Sequence, residues 1–126
     1  MPLVKLDVVD DLSRESGEKL LSDIRSVLID TLSIAQEHGH AILYRSELTH
    51  RSCHPNRDGR FVFVEIVLFL GRTDEVKADL FREVSSAVHR HTDVDESDIF
   101  ISLVEMDRKN WAGRGGIPFS TIQLGY

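Results

Sequence analysis

Apolar and polar residues alternate along four short stretches of this chain and recur at helical spacing along two longer ones. Residues 2–9 (PLVKLDVV) set Lys5 and Asp7 against leucine and valine, the pattern of a strand with one face more buried than the other. Ser13 is a good helix cap, and Leu20, Leu21, Ile24, Val27, Leu28, Thr31 and Leu32 then follow at intervals of one, three and four. That stripe predicts a helix over 14–33. Gly39 punctuates, and 40–48 (HAILYRSEL) reads as a second strand. The same order then returns. Residues 61–70 (FVFVEIVLFL) carry the strongest strand signal, Thr73 caps a helix striped by Val76, Leu80, Phe81, Val84, Ala87 and Val88, and 99–106 (IFISLVEM) closes with a strand.

The two halves align without a gap at an offset of 60 residues: Ser13 on Thr73, Leu20 on Leu80, Leu21 on Phe81, Ile24 on Val84, Leu28 on Val88, Leu43 on Leu103. A cap, a stripe and both strands shared at one offset predict two pseudo-symmetric β-α-β units, about 2–48 and 61–107, within a single domain spanning 1–126. Right-handed crossovers would make each strand pair parallel, giving an α+β fold with a four-stranded sheet and both helices on one face. The other face carries apolar residues with no helix to cover them, so self-association is expected. A ferredoxin-like arrangement, such as a dimeric α+β barrel, fits the same pattern. Between the units, 49–60 (THRSCHPNRDGR) reads as a polar loop with a turn at Asn56–Gly59. The tail 108–126 reads as a Gly-rich turn followed by a short strand free to pair with a neighbouring subunit.

Composition narrows the field. A net charge of −6 argues against nucleic-acid binding, which calls for a basic face, yet leaves room for a local basic pocket. The single cysteine, Cys53, cannot form an internal disulfide. The opening MPLVKLDVVD is not a secretory signal, and no apolar run is long enough to span a membrane. A cytoplasmic protein is the expectation. His50, Cys53 and His54 crowd one loop without a standard zinc spacing, and Gly113-Arg114-Gly115-Gly116 lacks the ending of a phosphate-binding loop.

Pro2 is the first candidate for chemistry. Proline after the initiator methionine favours removal of Met1, which would leave a secondary amine at the chain start. Burial or a neighbouring cation disfavours the protonated form of such an amine and frees it to accept a proton at neutral pH. Arg72 is the second, at a strand-to-helix turn where a guanidinium can hold a carboxylate through two parallel hydrogen bonds. His38 and His40, flanking Gly39, are each able to relay a proton or simply to stand exposed in a turn. Asn110 and Trp111 suit a flat conjugated substrate, and Trp111 suits a core or interface anchor equally well. Arg114 either reaches a site or braces its turn.

Pro2 heading a strand, two β-α-β units, the Gly71-Arg72-Thr73 junction and the tail Asn110-Trp111-Ala112-Gly113-Arg114-Gly115-Gly116 together resemble the tautomerase superfamily. The resemblance runs over nearly the whole chain and is strongest to the branch containing malonate semialdehyde decarboxylase. It implies a homotrimer with sites around each N-terminal proline near subunit boundaries, acting on small carboxylate substrates with no metal or organic cofactor. It also implies that Pro2 shuttles a proton and that Arg72 binds the substrate carboxylate and lowers the proline's pKa. Where that decarboxylase has a catalytic aspartate this chain has His38, and where it has a second arginine this chain has Leu70. The expected reaction is therefore ketonisation of a 2-hydroxy-enol acid. Decarboxylation or dehalogenation of a three-carbon acid is the enzymatic competitor, and a non-catalytic ligand-binding oligomer is the other.

Overall fold

The computed structural model describes residues 1–125; Tyr126, the end of the predicted tail, lies outside them. Strand β1 (Leu3–Val9) leads to helix α1 (Arg14–Leu32) and strand β2 (His40–Ser46), and β3 (Val62–Phe69) leads to α2 (Asp74–Thr92) and β4 (Ile99–Met106). The strands lie in the order β2-β1-β3-β4. β1 runs parallel to β2 and β3 parallel to β4, while β1 and β3 meet antiparallel at the centre. The two strands of each unit are immediate neighbours, so the split units of a ferredoxin-like sheet are absent.

Both helices begin where a hydroxyl can satisfy a free backbone donor. Ser13 Oγ accepts from the Ser16 N–H at 3.1 Å and Thr73 Oγ1 from the Val76 N–H at 3.2 Å. Both end one residue before a left-handed backbone, at Ser33 (φ 54°) and Asp93 (φ 58°). Starts, ends and caps all keep the 60-residue offset. The stripes Leu20, Ile24, Leu28 and Leu80, Val84, Val88 are fully buried against Val4, Leu6, Val62, Val64 and Ile66 of the sheet. Each such side chain contributes roughly 1.5–3 kcal/mol.

The opposite face of the sheet has no helix over it. Tyr44, Asp7, Phe63 and Phe100 stand in one row across the four strands, with Ile42, Lys5, Glu65 and Ser102 in the next. Ile42, Tyr44, Phe63, Phe100 and Val104 are 38–46% exposed there.

Two expectations need correction. The second strand stops at Ser46 rather than 48, because its partner β1 ends at Val9, opposite Ser46; the chain then turns through a short 3₁₀ helix, Leu48–His50. The short strand of the tail, β6 (Ile117–Pro118), has a first partner within its own chain, β5 (Ala112–Gly113), which the sequence reading did not include. Gly113 permits this closure, since a Cβ at that position would stand 2.6 Å from Phe119 Cζ. The polar loop is anchored by Arg51, which donates to Asp7 Oδ1 at 2.6 Å, to Ser46 Oγ at 2.9 Å and to the Gly59 and Phe61 carbonyls.

Candidate active site

The central antiparallel pairing decides what surrounds the chain start. Leu3 lies opposite Val67, so residues before Leu3 come alongside the end of β3 and the turn that follows. On the other side Leu3 lies opposite His40, whose N–H donates to the Pro2 carbonyl at 3.1 Å. Pro2 is buried between them. The loop leading into β2 is fastened from α1: Arg25 Nε donates to the Gly39 carbonyl at 2.9 Å, and Arg25 Nη2 to the Gln36 and His38 carbonyls at 2.6 and 3.2 Å. Gly39 has φ +84°, and a Cβ there would lie 3.3 Å from Ile34 Cδ1 and 3.8 Å from Pro2 Cγ. Glycine is what lets this turn close beneath the proline.

In the structure Met1 is in place, so the Pro2 nitrogen is an amide and the free amine belongs to Met1. That ammonium is pushed down from the ordinary 8.0 to about 5, chiefly by burial, then by the positive charge of Arg108 and that of Arg72. Burial and like charge act in the same direction here, since both penalise the protonated amine. Arg72 follows Gly71 (φ +117°) at the junction of β3 and α2. Arg108 opens the 3₁₀ turn Arg108–Asn110 after β4, with Cζ 4.6 Å from the centre of the Phe69 ring. The expectation from sequence included Arg72 and omitted Arg108. The omitted signal was positional: parallel neighbours end on the same side of a sheet, so a cation just after β4 shares an edge with one just after β3.

The remaining candidates are spread around this edge. His38 is half-buried in the loop held by Arg25, whereas His40 is exposed at the start of β2. Trp111 packs edge-on against Phe69 at 5.4 Å between ring centres and lies 6.3 Å from Phe119, itself 5.7 Å from Phe69. This trio binds the tail to the end of β3. Asn110 is exposed, its N–H donating to the Asp107 carbonyl at 2.9 Å. Arg114 is exposed in left-handed backbone (φ 50°) in the turn between β5 and β6. A shallow recess at this end is lined by Leu70, Asp107, Arg108, Lys109 and Ser120.

Away from the edge, Cys53 Sγ donates to the Arg57 carbonyl at 3.3 Å in the exposed loop. Among the described residues no group of three or more His, Cys, Asp or Glu is placed to hold a metal ion. No described helix is long and apolar enough to cross a membrane.

Comparison with known proteins agrees with this architecture. The chain is 23% identical over 130 residues to "Probable tautomerase YrdN" of Bacillus subtilis (strain 168), covering 98% of this chain and 100% of that one. A fused 4-OT solved as a symmetric trimer superposes with a TM-score of 0.87 at 18% identity, covering 94% of this chain and 96% of the other. The FG41 malonate semialdehyde decarboxylase superposes at 0.76 with 23% identity over 87% of each chain. Residues 34–114, well over half the sequence, match the family model described as "Tautomerase enzyme". The β-α-β repeat, the sheet order and this match converge: the chain belongs to the tautomerase family.

Proposed function

We propose that this protein is a cofactor-independent tautomerase that ketonises a small 2-hydroxy-enol acid, with the amine of Pro2 as base and then acid. The observation that carries the reading is the setting of the chain start, where burial and the charges of Arg108 and Arg72 hold the Met1 ammonium down to about 5. Removal of Met1 moves the free amine one residue inward, onto a residue already buried. A neutral secondary amine there takes the proton from the enol oxygen as the carbonyl forms, and the resulting ammonium returns a proton to carbon 3. Proton count and oxidation state balance within the substrate, so the chain's own groups suffice. Arg72 pairs with the substrate carboxylate and, like Arg108, keeps the amine deprotonated.

The working form is a homotrimer in the cytoplasm. Support comes from the uncovered apolar face of the sheet and from fused 4-OT structures described as trimers. Decarboxylation of a three-carbon acid is a second reaction open to the same amine, and the similarity to malonate semialdehyde decarboxylases is what favours testing it.

The deciding experiment is the ketonisation rate of phenylenolpyruvate by Met1-free protein beside its Pro2→Ala variant. The expected outcome is a fast reaction reduced at least a hundredfold in the variant, with circular dichroism unchanged. A variant at full rate would show that the amine is not the base.

A further inference from the structure

We infer that Arg108 is a second substrate-binding cation of this site, holding the acid group of the substrate together with Arg72. The inference rests on the reading of the chain-start amine as the reacting group.

Topology supplies the first argument. β3 and β4 are parallel and in register to their last pair, Phe69 opposite Met106, and the Leu70 N–H donates to the Met106 carbonyl at 3.1 Å. The chain therefore leaves both strands at the same edge, and the antiparallel β1–β3 register brings Met1 and Pro2 to that edge as well. Arg72 arrives from the turn after β3 and Arg108 from the turn after β4. The amine thus meets two cations carried by separate elements.

The second argument is how Arg108 is held. Its guanidinium lies over the Phe69 ring, and Phe69 is buried and braced by Trp111 and Phe119. Stacking on a buried, packed ring restricts the rotamers of the side chain, and a planar fork held this way loses little further entropy on taking a carboxylate. Its turn is closed locally, with Asp107 Oδ1 accepting the Lys109 N–H at 2.9 Å. Arg108 also lines the recess, together with Leu70, Asp107, Lys109 and Ser120. The residue before the Gly71-Arg72 turn is an exposed leucine, so the second positive charge at this edge is supplied from the other parallel strand.

The third argument is electrostatic and secondary. Arg108 precedes Arg72 among the charges that lower the Met1 ammonium at this edge. A group positioned to disfavour the ammonium is also positioned to attract an acid entering beside it.

The test measures binding, so it stands apart from turnover. Met1-free protein carrying ¹⁵N-proline is titrated with phenylpyruvate and with its methyl ester, following the Pro2 amine by NMR, for the unaltered protein, Arg108→Gln and Arg108→Lys. Arg108→Gln is expected to weaken the acid at least tenfold, to change the ester less than twofold, and to raise the pKa of the amine; Arg108→Lys recovers part of both effects. Equal affinity of Arg108→Gln and the unaltered protein for the acid would overturn the inference, as would equal losses for acid and ester. Failure of the tautomerase reading is seen separately, as an undiminished rate in Pro2→Ala, and leaves the acid–ester comparison decisive for Arg108.

Discussion

Gly39 illustrates how much of the site depends on a residue with no side chain. Its φ of +84° is costly for any L-residue with a Cβ, and that Cβ would crowd Ile34 at 3.3 Å and approach the Pro2 ring. Gly39→Ala is expected to cost about 1–2 kcal/mol in urea unfolding, from the backbone conformation alone. It should also lower kcat/KM on an enol acid, because the strain is relieved at the loop on which the proline rests. A variant as stable as the parent would show that the turn is not held left-handed. Among the residues of the proposed site, those named by a local motif were legible in the sequence: Pro2 by its place after Met1, Arg72 by the Gly-Arg-Thr junction. Arg108 was not, because its proposed role depends on which strand lies beside which, and no window of sequence contains that pairing.

At the scale of elements, the helices are joined across their exposed sides by Asp23 of α1. Its Oδ2 accepts from Arg90 Nη2 at 2.7 Å and pairs with His91 Nε2 at 2.9 Å. Burial alone would raise the Asp23 pKa, but the bonds from Arg90 and His91 outweigh it and the carboxyl sits below its usual value. A carboxyl lowered in the fold lends stability that is complete above the ordinary carboxylate range and disappears as pH falls through the lowered value. Asp23→Asn is therefore expected to cost about 0.5–1 kcal/mol at pH 7, discounted for solvent exposure of the pair, and less at about pH 3, below the ordinary carboxylate value. Equal cost at both pH values would mean that packing, not charge, is what Asp23 contributes. The element boundaries that were legible were those set by neighbours in sequence, such as the Ser13 and Thr73 caps. The end of β2 and the pairing of β6 were not, because a strand's length and partner are decided by the strand alongside it.

At the scale of the molecule, the helix-free face of the sheet carries Tyr44, Phe63 and Phe100 in one row, with Lys5 and Glu65 3.7 Å apart in the next. A face whose apolar residues surround two ion pairs, Lys5–Glu65 and Asp7–Arg51, suits burial against other copies of the chain, which would shield those pairs from water. Sedimentation equilibrium is expected to give three times the chain mass, and Phe63→Glu, which sets a third charge beside Asp7 and Glu65, should shift it toward the monomer. A monomeric parent protein would leave the face to another partner. The alternation that exposes this face was readable strand by strand, whereas the number of copies was not, since ring closure depends on the angle between surfaces.

The 60-residue repeat has a bearing on the valency of the assembly. Val62 occupies in the second unit the place of Pro2 in the first, but its nitrogen is an internal amide at 0% exposure, and the loop before it is pinned by Arg51 to Asp7, Ser46 and the Phe61 carbonyl. The repeat reproduces the scaffold without reproducing a chain terminus. On the proposed mechanism each chain, for all its internal symmetry, is monovalent in reactive amine, and a ring built from six β-α-β units would turn over at three positions.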